Sequence, residues 1–558
     1  MRIFKTMFVT ALAAVTLASC GSVKNVAVPT MDTAVSITAK KGVVSDEQYK
    51  HWAHADLATD TIPGMSLDKA YKFLEGKSGQ TVIVGVIDTG IDIEHEDLKD
   101  VLWTNPNEIA GNGKDDDNNG YIDDVYGWNF LGGNGVAAPE QLEITRLVAK
   151  MKPEFEGKTI ENVSADKKAD FEQYQKYVKA YEASGSRHFK ELEELELLSK
   201  IKEVFAVVKN YLGKDSVTIE DLKAIESEDK KIEMFASGLI ELMNDGYDEN
   251  KIVGMLDLEK LEKLRNNTHY KLDFDGRAIV GDQPENINDT KYGNGNVIGS
   301  KEEESHGTHV AGIILASRNN GIGMNGVAHN AKLMTIRAVP DGDERDKDVA
   351  LAIRYAADNG AKVVNMSFGK SFSPNKEWVL EAIKYAEEKD VLLVHAAGND
   401  GSDIDNGNNW PNDSANEINE IADNWLSVGA MSISYNEQLP AYFSNYGERN
   451  VDIFAPGVQI YSTVPQNKYA KYNGTSMASP EVAGVAALVR SYYPELSASQ
   501  VKHIIMNSGT KFDMDVTKPS KSRRNEPTKT SFSKLSVSGS VVNAYNALKL
   551  AEKMVNMM

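Results

Sequence analysis

Four separated motifs carry side chains with complementary chemistry. Val-Ile-Asp-Thr-Gly places Asp88 at the end of an apolar run, and His-Gly-Thr-His places His306 before a stretch of small residues. Ser476 opens a second small-residue stretch, and Asn399 follows another apolar run. A hydroxyl attacks a carbonyl when a base removes its proton and a third group orients that base. Ser476, His306 and Asp88 could fill these roles, with Asn399 and the Ser476 backbone N–H donating to the developing oxyanion.

Each motif taken alone has a plainer interpretation. A lone aspartate after a strand is commonly a helix or turn cap, and a lone serine before a helix is commonly an N-cap. His306 and His309, three residues apart on a helix, could instead be zinc ligands. We disfavour zinc because no third ligand is evident nearby and the His-Glu-X-X-His pattern is absent. The joint order of aspartate, histidine and serine is the specific signal.

An acidic stretch from residue 115 to residue 124 predicts a structural calcium site. Oxygen ligands at alternate positions followed by glycine are typical of the start of a calcium loop. The flanking helices and bidentate glutamate of an EF-hand are missing, so other residues must complete the site. A solvated acidic turn is the alternative. The candidate ligands are Asp115, Asp117, Asn119, the Tyr121 carbonyl, and Asp123 or Asp124; the chemistry itself needs no cofactor.

Strands and helices must alternate to bring these motifs together. Five short apolar runs, several of them β-branched, have strand length: 81–87, 332–339, 362–366, 391–395 and 425–428. Helical patterns at 346–359 and 375–389 lie between them. Apolar strands separated by helices predict an α/β fold, a doubly wound and mostly parallel sheet with helices on both faces. In such sheets, sites gather at the carboxyl ends of the strands.

One long segment, residues 135–270, interrupts this alternation. It shows no convincing strand and is dominated by charged helical patterns, so we predict an all-α inserted domain, called here the helical insertion. Within it, the residues from Thr218 to Asp221 resemble a capping box at the start of a helix. The predicted organisation is a signal peptide (1–19), a tether (20–55), a first catalytic part (56–134), the helical insertion (135–270) and a second catalytic part (271–558).

The motifs VIDTGID, HGTHVAG and GTSMASP, in this order, resemble the three signature blocks of the subtilase family. The resemblance covers about 370 residues and implies a subtilisin-like serine endopeptidase. It also implies that segments 367–369 and 339–342 are edge strands that pair with an extended substrate backbone. The implied substrate-binding residues are Ser367, Phe368, Gly369, Pro340 and Gly342. Asp400 would lie near the pocket for the residue before the cut. The long spacing between Asp88 and His306 departs from the family and requires the ends of the insertion to meet.

The net charge limits which partners the protein can bind, and the N-terminal sequence indicates where in the cell it is located. With 61 basic and 82 acidic residues the net charge is -21, which opposes binding to nucleic acid or to anionic lipid. A basic start, an apolar run and Leu-Ala-Ser before Cys20 predict a signal peptide and resemble a bacterial lipobox, whose cysteine is lipidated. We therefore expect a lipid-anchored protein of the bacterial cell envelope, and Gly21 favours the outer membrane. The alternative is a secretory signal cut elsewhere.

Three hypotheses for the whole chain follow from these residues. The first is hydrolysis of peptide bonds in protein or peptide substrates. The second is a tethered binding protein in which the helical insertion recognises a partner and the α/β core is a scaffold; the intact set of Asp88, His306, Ser476 and Asn399 disfavours it. The third is that the insertion caps the cleft and inhibits the enzyme.

Cys20 is the only cysteine in the sequence, so no intrachain disulfide can form.

Overall fold

A computed structural model describes residues 28–33, 44–407, 409–414, 419–522 and 526–558. Cys20, Gly21 and the predicted signal peptide lie outside the described residues. Within the described part of the chain, no helix is both long enough and apolar enough to cross a membrane.

A nine-stranded sheet forms the centre of the molecule, in the order β10-β13-β7-β6-β5-β4-β1-β3-β2. All neighbouring pairs are parallel except β10 and β13. The strands are β1 (Val82–Asp88), β2 (Gly127–Asn129), β3 (Ala331–Arg337), β4 (Val363–Met366), β5 (Leu392–Ala396), β6 (Trp425–Met431), β7 (Ile453–Pro456), β8 (Ile460–Val464), β9 (Lys468–Tyr472), β10 (Thr510–Lys511), β11 (Asp515–Thr517), β12 (Lys529–Ser531) and β13 (Ser540–Val541). Two antiparallel pairs, β8 with β9 and β11 with β12, lie outside the sheet.

Helices cover both faces of this sheet, which confirms the predicted fold class. They are α1 (Asp46–His51), α2 (Leu57–Asp60), α3 (Leu67–Leu74), α4 (Glu143–Phe155), α5 (Lys168–Leu212), α6 (Ile219–Lys223), α7 (Lys230–Asn244), α8 (Glu249–Met255), α9 (Leu258–Asn266), α10 (His306–Leu315), α11 (Asp346–Asp358), α12 (Lys376–Glu388), α13 (Thr475–Tyr492), α14 (Ala498–Ser508) and α15 (Ala544–Val555). Alternate residues of β1 enter opposite cores: Val84 and Val86 pack with α10 and α13, and Ile87 packs with α11 and α12.

Small residues let α13 run through the middle of the molecule. Nearly every residue of this helix is buried. At Gly484, an added Cβ would lie 2.4 Å from the Cβ of Val327, so only glycine permits the observed approach. The helix therefore carries Ser476, in its first turn, on a tightly packed support.

The helical insertion contains α4 to α9, and α5 alone runs for 45 residues. Thr218 caps α6 with the reciprocal hydrogen bonds of a capping box. The insertion has a hydrophobic core of its own, which includes Phe205, Val208 and Leu239. Between residues 130 and 305, all of which the structure describes, extended pairing is limited to isolated bridges.

Part of the segment predicted as a tether is ordered against the core. The Met31 N–H donates to the Asn507 carbonyl at 3.1 Å, and Trp52 is 1% exposed with its indole N–H bonded to the Val458 carbonyl. Burial of a large apolar side chain such as Trp52 stabilises the folded state, and a solvated tether would not provide this stabilisation. The ordered structure thus begins before residue 56.

Candidate active site

The predicted catalytic residues meet at the carboxyl edge of the sheet. β1 pairs with β3 on one side and with β4 on the other, so the order of strands reverses beside β1. Asp88 ends β1, Ser367 directly follows β4, and Asn399 lies three residues beyond the end of β5. A reversal of strand order opens a crevice at this edge in α/β sheets. The site is therefore where the fold class predicts it.

Asp88 and His306 form a hydrogen-bonded pair. Nδ1 of His306 lies 2.7 Å from Oδ1 of Asp88, which also accepts the Thr89 N–H at 2.8 Å. The first turn of α10 is anchored to the end of β1 because the Gly307 N–H donates to the Thr89 hydroxyl at 2.9 Å. A Cβ on Gly307 would lie 2.7 Å from the Thr89 carbonyl oxygen, so glycine allows this approach.

The carboxylate of Asp88 tunes the basicity of His306. Burial lowers the pKa of His306, but the negative charge and hydrogen bond of Asp88 outweigh this effect, and the pKa is raised above its usual 6.5. Asp88 itself is fully buried, and its Oδ2 has no hydrogen-bond partner among the described residues. The pair suits a base whose protonated form must be stabilised during a reaction.

Ser476 shares a cleft with His306, but its hydroxyl is turned elsewhere. Oγ of Ser476 donates to the Ser367 carbonyl at 3.1 Å, and the Ser367 hydroxyl donates to the Ser476 carbonyl at 2.9 Å. In the described part of the chain no hydrogen bond joins Ser476 to His306. Hydrogen bonds between catalytic groups commonly tighten only in the substrate complex.

Two donors point at one small space beside Ser476. The Asn399 side-chain oxygen accepts from the N–H and the hydroxyl of Thr475, at 2.9 and 3.1 Å, which leaves its NH₂ group facing the cleft. A Cβ built on Gly474 would lie 3.5 Å from the Ser476 nitrogen and 3.7 Å from Nδ2 of Asn399. Both donors therefore border the position that a Gly474 side chain would occupy. This arrangement can bind an oxyanion.

His306 and His309 do not face a common metal. His309 stacks on Tyr472 with ring centroids 4.3 Å apart, and its Nε2 lies 3.1 Å from the Ala470 carbonyl oxygen. Burial lowers the pKa of His309 to about 3, so this ring is neutral. The two histidines thus have separate partners, Asp88 and Ala470.

The ends of the inserted chain meet, so 218 residues separate Asp88 from His306 without separating their side chains. The N–H of Asn129 donates to the Asn294 carbonyl at 2.9 Å, and the reverse bond measures 3.1 Å. Closer to the helices, the Leu142 N–H donates to the His269 carbonyl at 3.2 Å. The two ends of the insertion therefore lie together, as the long spacing between Asp88 and His306 requires.

The two predicted edge segments, 367–369 and 339–342, begin one and two residues after β4 and β3, the two neighbours of β1. The Ser367 carbonyl accepts the Ser476 hydroxyl, whereas the Phe368 carbonyl accepts from Nε2 of His395 and Lys370 pairs with Trp410. In the other segment, Asp341 forms a bridge with Pro139. Asp400, predicted near the pocket for the residue before the cut, is exposed, and its N–H donates to Asn445.

Several of the predicted ligands of the acidic stretch are neighbours: the Asn119 amide donates to Asp117 at 3.1 Å and to Asp124 at 3.2 Å. Carboxylate oxygens of Asp115, Asp117 and Glu108 lie within 4.8 Å of one another. Asp123 instead accepts the N–H groups of Asn112 and Gly113.

Asp124 and the side chain of Tyr121 have further neighbours in the core. Asp124 is buried and accepts from Tyr355, Asn105 and Asn119, while the Tyr121 ring packs against Trp128 and Tyr355. Burial raises the pKa of Asp124 to about 6.

Sequence reasoning missed Glu108 and a buried ionic cluster beside the cleft. Glu108 precedes the acidic stretch and has no motif of its own. In the cluster, the Lys370 ammonium lies 2.8 Å from both Glu143 and Asp346, and Arg146 binds Glu143 at 2.6 Å. Glu143 and Lys370 are 227 residues apart in the sequence, and charged residues in a helical pattern ordinarily predict a solvated face.

Comparison with known proteins agrees with this geometry. The model of the subtilase family matches residues 79–528. Subtilisin DY of Bacillus licheniformis is 40% identical over 209 residues, covering 37% of this chain and 70% of that protein. Subtilisin BL of Lederbergia lenta is 38% identical over 247 residues, covering 44% and 80%.

A third relative shares a shorter part of its length. The thermophilic serine proteinase of Bacillus sp. (strain AK1) is 43% identical over 188 residues, or 34% of this chain, and the chain spans 43% of that relative. The family match covers most of the chain and contains all four predicted catalytic residues. This chain therefore belongs to the subtilase family of serine peptidases.

Proposed function

We propose that this chain is an endopeptidase in which Ser476 is the nucleophile, His306 the general base, Asp88 the orienting acid and Asn399 an oxyanion donor. The observation that carries the proposal is the placement of His306, Asn399 and Ser476 on one cleft, with the buried Asp88 2.7 Å from His306 and both oxyanion donors bordering one space. Protein and peptide substrates follow from membership of a peptidase family.

Each residue has a defined task in this reaction. The Ser476 hydroxyl leaves the Ser367 carbonyl, gives its proton to Nε2 of His306 and attacks the substrate carbonyl carbon. Asn399 Nδ2 and the Ser476 N–H stabilise the oxyanion. His306 then protonates the departing amine, which leaves an acyl-enzyme at Ser476. Water, deprotonated by His306, hydrolyses this ester in the same geometry.

Labelling with a fluorophosphonate probe tests the assignment of the nucleophile. We expect wild-type protein to be labelled and Ser476→Ala to be unlabelled, because the probe reacts with an activated serine hydroxyl. Ser479→Ala is a matched control, since this neighbouring serine is buried and donates to Asn365 at 2.7 Å. Folded wild-type protein that resists the probe, or labelled Ser476→Ala, would contradict the proposal.

The exposure of His306 favours an open enzyme over one inhibited by its own insertion. The His306 side chain is 35% exposed, and it lines the same cleft as Asn399 and Ser476. The insertion contacts the edge segment 339–342 at Asp341, through Ala138 and Pro139, and contacts Asp343 and Lys370 beyond the edge segments. A substrate can therefore reach the nucleophile.

We propose that calcium stabilises the acidic stretch through Glu108, Asp115 and Asp117. Their close carboxylates are oxygen ligands of the kind that calcium prefers. Oε2 of Glu108 is buried without a hydrogen-bond partner in the described structure, which a bound cation would remedy. Calcium would neutralise the mutual repulsion of these groups and would take no part in the chemistry.

Lipid attachment at Cys20 remains a proposal drawn from the sequence. The lipobox-like Leu-Ala-Ser-Cys supports it, and Gly21 supports an outer-membrane destination. Growth with a labelled fatty acid tests it: we expect label in the wild-type protein and none in Cys20→Ala. Unlabelled wild-type protein in the membrane fraction would contradict lipidation.

A further inference from the structure

The two edge segments define a channel for the substrate backbone. In an extended strand, alternate residues direct their N–H and C=O groups to the same side. Ser367 faces the channel because its carbonyl accepts the Ser476 hydroxyl, whereas Phe368 and Lys370 bind on the other side. By alternation, Gly369 also faces the channel. On this wall a substrate can pair at two positions, Ser367 and Gly369.

The opposite wall bends at Gly342, whose φ is +144°, so regular alternation does not extend along it. The N–H groups of Asp341 and Asp343 donate toward the helical insertion, to the carbonyls of Ala138 and Gln141 at 2.8 and 3.2 Å. The Glu344 carbonyl points at Lys370, which directly follows Gly369 on the first wall. It is therefore the acceptor opposite the position after the third substrate residue.

That acceptor is already occupied. Nζ of Lys370 reaches across the channel to the Glu344 carbonyl oxygen at 2.7 Å, and Arg146 of α4 lies 3.3 Å from the same oxygen. Arg146 also donates to the Asp343 carbonyl at 2.9 Å. The groups that a fourth substrate residue would need are therefore bonded to side chains of the enzyme itself.

Lys370 and Arg146, which occupy the carbonyls of Glu344 and Asp343, are held in place by a buried ionic cluster. The side chains of Lys370, Glu143 and Arg146 are 2%, 7% and 9% exposed. Glu143 binds both cations, and its own N–H donates to the Asp343 carboxylate at 2.8 Å. Breaking one partner of such a pair leaves a buried charge, so the cluster resists opening. From the insertion, Tyr177 of α5 contacts Phe372 just beyond it, with ring centroids 5.8 Å apart.

Provided that the proposed peptidase function holds, we propose that Lys370 and the first turn of α4 close the channel after three substrate residues on the acyl side of the cut. The helical insertion is then a specificity element. Substrate residues beyond the third must turn out of the channel and contribute little to binding.

Kinetics on peptides of increasing length test this closure. We would measure kcat/KM for anilides carrying one to six residues before the scissile bond, in one series with a basic and one with an apolar residue at the bond. We expect kcat/KM to rise up to the third residue and to change by less than about twofold on adding the fourth and fifth. A gain of about tenfold or more from the fourth residue would overturn the proposal.

A double variant, Lys370→Gly with Glu143→Ala, removes one positive and one negative charge together; Arg146 keeps Glu140 at 3.6 Å, and Asp346 keeps the Ser373 hydroxyl at 2.8 Å. We expect it to gain activity on four-residue over three-residue peptides, and an unchanged ratio in a folded variant would count against closure. Arg265→Ala, which removes a salt bridge to Glu196 within the insertion, is the control. Should the double variant fail to fold, the wild-type series still decides. Absence of both cleavage and fluorophosphonate labelling would instead refute the peptidase function and the closure together.

Discussion

At the scale of single residues, the His306–Asp88 pair would set the working pH of the proposed peptidase. The imidazole has to be neutral to accept the proton of Ser476, and Asp88 raises its pKa above the usual 6.5 against the opposing effect of burial. A raised pKa means that the base is still protonated at pH values where a free histidine would be neutral. As the pH falls, activity is therefore lost at a higher pH than it would be with a free histidine as the base.

The pH dependence of kcat/KM, which reports the free enzyme, checks this prediction. We expect the midpoint of the acid limb above 6.5 in the wild type. In Asp88→Asn, burial alone remains, so the midpoint should fall below 6.5, and kcat should drop about 10⁴-fold because the base loses its orientation. A wild-type midpoint below 6.5 would show that Asp88 does not control the base.

At the scale of elements, the N-cap of α13 is Gly474, which has no side chain and borders the proposed oxyanion site. A methyl group at Gly474 would fill the space between the two donors, 3.5 Å from the Ser476 nitrogen and 3.7 Å from Nδ2 of Asn399. These are ordinary contacts, so the protein should fold. We expect Gly474→Ala to lower kcat about 10²- to 10³-fold, as the loss of such a donor does in a subtilisin, with little change in melting temperature.

A glycine in the insertion supplies the matched control for that experiment. An added Cβ at Gly254 in α8 meets nothing within 4 Å, so Gly254→Ala should keep full activity and stabilise the helix by about 0.5–1 kcal/mol. A fully active Gly474→Ala would show that the oxyanion does not occupy this space.

The elements also show how far the sequence could predict this protein. Strands β1, β3, β4, β5 and β6 were predictable because each is a mostly apolar run of strand length, and the proximity of His306 and Ser476 because each lies in a contiguous motif. The short strands β2 and β10 to β13 carry too few residues to show a period. The Lys370 cluster was unpredictable because its partners come from separate parts of the chain, and their burial depends on tertiary packing alone.

At the scale of the whole molecule, net charge links stability to cations. The chain carries -21, and Glu108, Asp115 and Asp117 concentrate negative charge at one surface site. After chelation, we expect millimolar calcium to raise the melting temperature, since a ligand at 100 times its dissociation constant stabilises the folded state by about 2.7 kcal/mol.

Differential scanning calorimetry with two variants checks the assignment of this site. Glu108→Gln should lose most of the calcium response, whereas Asp400→Asn, which alters an exposed carboxylate elsewhere, should keep it. No calcium response in the wild type would exclude a calcium site. An equal response in Glu108→Gln would place the site elsewhere.

In the proposed mechanism, the hydrogen bond from the Ser476 hydroxyl to the Ser367 carbonyl has to break before the hydroxyl turns to His306. A peptide whose N–H pairs with Ser367 would compete for that same oxygen and so assist the turn. We therefore expect esters that lack this N–H to react more slowly than peptide esters with the same residue at the cut.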